Sequence, residues 1–90
     1  AVERSLESEL WSAACERGFQ CITFDNWVGA RAAYEEALAY RFQDAFVHHA
    51  LGFSFAELGE LDDAVHAWLR TVELDPDYDF TRFGRVAKEL

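Results

Sequence analysis

Along the chain, apolar side chains recur every three or four positions, and no segment alternates with period two for long enough to describe a strand. Val2, Leu6, Leu10, Ala13, Ala14, Gly18 and Cys21 fall on one face of a long first helix that should end near Phe24. Asp25 and Asn26 supply turn and N-cap chemistry, after which Val28, Ala30, Ala33, Tyr34, Ala37 and Leu38 mark a second helix. A short loop around Tyr40 to Gln43 leads to Asp44 as the next N-cap, and Val47, His48, Leu51, Gly52, Phe55 and Leu58 form a third stripe. Gly59 is free to take the left-handed conformation that ends it. A fourth helix is predicted from about Leu61 to Leu74, with Asp62 and Asp63 at its positive end and Pro76 preventing continuation. Phe80, Phe83, Val86, Ala87 and Leu90 make a fifth stripe. The expected fold class is all-α.

The stripes are not independent of one another. Sliding the chain along itself until Gly18 falls on Gly52 also places Phe19 on Phe53, Trp27 on Leu61, Ala30 on Ala64, Ala33 on Ala67, Tyr34 on Trp68 and Leu38 on Val72. Small residues thus recur at the offsets where two helices of one unit would cross closely, with large ones filling the space beyond. A simple three- or four-helix bundle would not require that recurrence.

A period of about 34 with two helices per unit is the pattern of the tetratricopeptide repeat. Residues 45–78 resemble it closely, with Leu51-Gly52, Phe55, Gly59, Leu61, Ala64, Trp68 and Pro76 in the family's order and spacing. Residues 11–44 resemble it as a degenerate first copy, with Arg17 in place of the usual leucine, Asp25 in place of the turn glycine and Phe42 where the proline belongs. From Asp79 the chain is similar to the first helix of a third unit used as a cap. The resemblance implies one domain over 1–90, a right-handed α-solenoid of antiparallel helix pairs made of two tetratricopeptide repeats and a C-terminal capping helix, 79–90.

Composition narrows the partners. The formal net charge of −9 repels phosphate backbones and anionic membrane surfaces, so neither nucleic acid nor a membrane is an expected partner. No charged-then-apolar leader and no long apolar run is visible, and a cytoplasmic setting is expected. Cys15 and Cys21, the only cysteines, lie six apart in one helix and so point about 120° apart. They are expected to be buried free thiols in a reducing compartment.

Catalytic chemistry finds little to stand on. His48 and His49 are adjacent and His66 lies on the next helix, but no His-x-x-x-His, Glu-x-x-His or Cys-x-x-Cys spacing is present, so no metal and no cofactor is expected. His48 should lie at the edge of the core, with His49 and His66 toward solvent. The carboxylate pairs Glu35-Glu36 and Asp62-Asp63 are consecutive on helices and point apart. There is no phosphate loop and no nucleophile elbow.

What remains is surface. The resemblance implies that the first helix of each unit lines a concave groove for a partner's peptide or helix. Carried over by the repeat offset, the groove positions are Ser12, Cys15, Phe19 and Thr23, then Phe46, His49, Phe53 and Glu57, then Phe80 and Phe83. Most of the larger ones are aromatic, as expected of an interaction site rather than a charged clamp. The positions at which family members clamp a carboxylate carry Cys15, Phe19, Ala50, Phe80 and Gly84, none of which can do so by charge. The expected role is a non-catalytic protein-binding module, with a homodimer formed by stacking exposed ends, or carriage of a small apolar ligand, as alternatives.

Overall fold

The computed structural model describes residues 2–81, the side chains of residues 2–5 excepted. The side chain of the expected stripe position Val2, the groove position Phe83, and the capping helix from residue 82 onward lie outside what is described. Four helices follow one another: α1 (Val2–Thr23), α2 (Trp27–Tyr40), α3 (Ala45–Glu57) and α4 (Leu61–Leu74). Successive helices pack on each other, α1 on α2, α2 on α3 and α3 on α4, and no strand occurs among the described residues. This is an all-α helical-repeat architecture.

The helix ends are written in the residues at the turns. Asn26 caps α2 by accepting from the Gly29 N–H at 3.0 Å, and Asp44 caps α3 by accepting from the Val47 N–H at 3.0 Å. Each satisfies one of the donors a helix start leaves unpaired. α3 ends when Gly59 turns to φ +79, so that its N–H reaches the Ala56 carbonyl at 3.0 Å and that of Glu60 the Phe55 carbonyl at 2.9 Å. α1 ends by the same motif at the equivalent place one unit earlier. Asp25 stands at φ +57, its N–H donates to the Ile22 carbonyl at 3.0 Å, and that of Asn26 donates to the Cys21 carbonyl at 2.7 Å. The residue in place of the turn glycine thus adopts the glycine's conformation.

Packing echoes the same offset. A Cβ on Gly18 would sit 2.7 Å from the Tyr34 ring, and one on Gly52 would sit 2.5 Å from the Trp68 indole nitrogen. Each glycine lets a large ring of the following helix approach its backbone closely, so Trp68 rests on Gly52 itself rather than filling space beyond the crossing. Ala30, Ala37, Ala64, Ala14 and Ala50 are fully buried around these contacts. α3, between α2 and α4, buries an unbroken run from Val47 to Gly52 together with Ser54, whose hydroxyl donates back to the Ala50 carbonyl at 3.0 Å.

Three expected stripe positions of α1 are not in the core. Leu6 and Leu10 are 55% and 41% exposed, and Ala13 is exposed as well. The reason is length: α1 has 22 residues and α2 only 14, so α2 covers the second half of α1, from Ala14 through Gly18 to Ile22. Arg41, at the end of α2, lies over the Trp11 ring and donates to Ser8, which marks where that cover ends. Val28 on α2 is likewise exposed.

Candidate partner-binding groove

The expected groove residues come from α1 and α3, and the structure treats them differently. On α1, Phe19 is 43% exposed, and Ser12 and Thr23 are exposed, the Thr23 hydroxyl donating back to the Phe19 carbonyl at 3.0 Å. Cys15 is half-buried and its thiol is pushed up to about 11, mainly by burial and further by the Asp44 carboxylate, against the opposing pull of Arg41. It is therefore protonated and weakly nucleophilic at neutral pH. Cys21 is also half-buried, less enclosed than expected, and both thiols are free.

On α3, Phe46 and Phe53 are half-buried and pack against the core cluster, and Glu57 is exposed. The Phe53 ring meets Trp27 of α2 at 5.3 Å between centroids, so one of its sides is structural. His49 departs from the solvent-facing expectation. It is only 4% exposed because the segment after α4 folds onto it: Tyr78 lies 5.1 Å and Phe80 4.9 Å away, both edge-on, and the Tyr78 hydroxyl meets His49 Nδ1 at 3.0 Å. Tyr78 and Phe80 pack edge-on with each other at 5.2 Å, closing a three-ring cluster. Burial lowers the His49 pKa to about 4, keeping the ring neutral.

His48 points the other way. Its Nε2–H donates to the Phe42 carbonyl at 2.8 Å, and its ring packs edge-on against Phe42 at 5.2 Å. Burial lowers its pKa too, partly offset by that hydrogen bond. His66 is exposed on α4, so the three histidines do not converge. A depression of ≈ 340 Å³ beside the α1–α2 turn is lined by Arg17, Gln20, Cys21, Phe24 and Asn26, none of them an α3 residue.

The structure thus brings His49 and Phe80 together, sets Phe46 and Phe53 half-buried on α3, and leaves Phe19 and Thr23 open on α1. Sequence reasoning missed Tyr78 and Trp27 as their neighbours. Tyr78 occupies the position that the cap Asp44 holds one unit earlier, and nothing in that position signals a ring.

Helices paired through glycine-on-ring crossings, with the same turn motif recurring from one unit to the next, define a helical-hairpin repeat protein. Residues 45–78 match the tetratricopeptide repeat family model, with α3 and α4 forming the matched unit. No curated protein and no solved structure matches the chain. Tetratricopeptide repeats generally mediate protein–protein interaction, and no helix among the described residues is long and apolar enough to cross a membrane.

Proposed function

We propose that this chain is a non-catalytic module that holds a peptide or helix of a partner protein along an aromatic-rich concave face. Phe19, Thr23, Phe46, Phe53 and Glu57 line that face, His49 lies enclosed beneath Tyr78 and Phe80 and supports it from below, and Phe80 and Phe83 extend it. Residues 11–44 act as a degenerate first unit and 79–90 as a capping helix. The observation that carries the reading is Phe19, a large aromatic side chain 43% exposed at the register where Phe53 sits one unit later. An exposed aromatic ring at a repeat-equivalent position is the kind of side chain from which hot-spot anchors are drawn. The protonated Cys15 thiol and the enclosed His49 ring support a binding role over a catalytic one.

The test begins with capture of partners on the wild-type chain, followed by calorimetric titration of the captured partner's binding segment against Phe19→Ala. Binding should weaken by ~1–3 kcal/mol with helical content unchanged. Equal affinity in a folded variant would remove the site from this face.

A further inference from the structure

The arginines whose side chains are described, Arg17, Arg31, Arg41 and Arg70, divide by what they touch. Arg17 and Arg31 close on carboxylates of other segments, those of Glu36 and Glu60. Arg41 and Arg70 instead stack on aromatic rings around the α2–α3 turn. The Arg41 guanidinium lies 4.5 Å over the Trp11 ring and donates to the Ser8 hydroxyl, and that of Arg70 lies 5.3 Å over the Phe42 ring. In a chain of net charge −9, Arg41 forms no ion pair among the described residues, and Arg70 meets only Glu73, at 3.8 Å and in solvent. Asp44, the carboxylate nearest to Arg41 in sequence, is committed to the Val47 N–H as the cap of α3.

The turn itself is held firmly. His48 donates to the Phe42 carbonyl at 2.8 Å and sets its ring edge-on to Phe42 at 5.2 Å, fixing a side chain that stays 52% exposed. Arg41, Phe42 and Gln43 line a depression of ≈ 450 Å³ there. Phe42 stands where the repeat pattern has proline, so the ring is not something the fold requires. On α4, Arg70 is about 140–180° round from Val65 and Leu61, on the side turned back to this turn rather than onward to the cap.

We propose that this depression is a second binding site, for a carboxylate carried beside an apolar side chain on a partner peptide. Arg41 pairs with the carboxylate, Phe42 takes the apolar neighbour, Gln43 adds a neutral donor, and Arg70 supplies a second positive charge at the rim. A guanidinium already stacked on a ring loses little further freedom on binding, and its planar fork matches the two oxygens of a carboxylate. A phosphate group fits less well, because its second negative charge meets the −9 field of the chain more steeply. None of these four residues stands at a position where family members clamp a carboxylate, so the site is separate from that one.

The experiment follows the backbone amides of the isotope-labelled full chain by NMR during titration with three acetylated dipeptides. These are aspartyl-leucine amide, asparaginyl-leucine with a free C-terminal carboxylate, and asparaginyl-leucine amide, which has no carboxylate. One or both of the first two should shift the Arg41, Phe42 and Gln43 amides saturably, and which does so tells a side-chain carboxylate from a terminal one. The neutral peptide should bind at least ~5-fold more weakly. Arg41→Gln should cost the carboxylate peptide at least ~5-fold and Arg41→Lys, which keeps the charge but loses the fork, a smaller factor. Arg41→Lys also serves as the milder change should Arg41→Gln lose helicity. Phe19→Ala should bind the peptide as wild type does, which separates this site from the groove. Equal affinity for the neutral peptide overturns the proposal, as does unchanged affinity in folded Arg41→Gln or a loss confined to Phe19→Ala. Tighter binding of inorganic phosphate than of either carboxylate peptide would overturn it in favour of a phosphate ligand. Nuclear Overhauser contacts from the Phe42 ring to residues 82–90 in the free chain would overturn it by showing the depression filled from within.

Discussion

Tyr34 shows how tightly a single residue can be constrained here. It is fully buried, its ring lies where a Gly18 side chain would be, and its hydroxyl has no hydrogen-bond partner among the described residues. Burial accordingly pushes its pKa above the usual tyrosine range. Two opposite outcomes follow from one contact. Gly18→Ala should destabilise by ~1–3 kcal/mol, because the added Cβ would stand 2.7 Å from a fully buried ring and that clash outweighs the ~1 kcal/mol gained in helix propensity. Tyr34→Phe should raise the denaturation midpoint by an amount worth ~1 kcal/mol, since it deletes a buried polar group that has nothing to bond. Urea unfolding of both variants checks this, and a lower midpoint for Tyr34→Phe would mean the hydroxyl has a partner after all. The histidines of α3 give a pH dependence of definite sign. His48 and His49 have folded-state pKa values below the ordinary 6.5, so the unfolded chain takes up protons first on acidification. Both contributions are complete above about pH 6.5 and fall as the pH drops below it, that of His49 being lost as the pH approaches about 4, by up to ~1.4 kcal/mol per pH unit. His49→Gln should flatten that fall in melting temperature relative to wild type, and an unchanged slope would show that His49 titrates normally.

At the scale of elements, helix limits were legible where a residue type has one local job. Asn26 and Asp44 accept from the third backbone N–H after them, and Gly59 and Pro76 sit where the chain must stop or turn. Asp25 was legible as well, because the repeat offset assigns it the glycine's place and its φ of +57 confirms the conformation. This yields a paired prediction, read from the denaturation midpoints of the two variants. Gly59→Ala should cost ~1 kcal/mol through strain alone, since no atom lies within 4 Å of the added Cβ. Asp25→Gly relieves the same strain and should leave stability unchanged or slightly higher, by less than ~1 kcal/mol. Periodicity could not show which part of a stripe is covered. Leu6 and Leu10 have the spacing of core residues, yet α2 is too short to reach them. The enclosure of His49 was equally invisible, because it depends on Tyr78 and Phe80 returning from beyond α4, a tertiary event with no local pattern. Of the groove positions, the offset placed Phe19 and Phe53 at matching registers, but it could not tell that Trp27 holds one side of Phe53.

For the whole molecule, that last distinction decides how binding must be tested. Phe53 is both a proposed anchor and a packing partner of Trp27, so Phe53→Ala would remove core contacts and binding surface together, and lost affinity would have two causes. Phe19 separates them, being 43% exposed with its ring outside the buried cluster. The control on the opposite surface needs equal care. Glu36 pairs with Arg17 of α1, whereas Glu35 is exposed and forms no ion pair among the described residues, so charge reversal at Glu35 alone is the cleaner change. Because the α1–α3 face carries aromatic rings and no lysine or arginine at its named positions, whatever salt dependence its affinity shows should come through the association rate. The on-rate of a basic partner should fall as salt screens the net charge of −9. Stopped-flow and equilibrium titration of one partner peptide at low and physiological ionic strength should therefore show the association rate changing more steeply than the dissociation rate. Phe19→Ala should raise the dissociation rate with little effect on association, and Glu35→Lys should change neither by more than about twofold. Should Glu35→Lys abolish binding while folded Phe19→Ala binds as tightly as wild type, the partner sits on the opposite, α2 side.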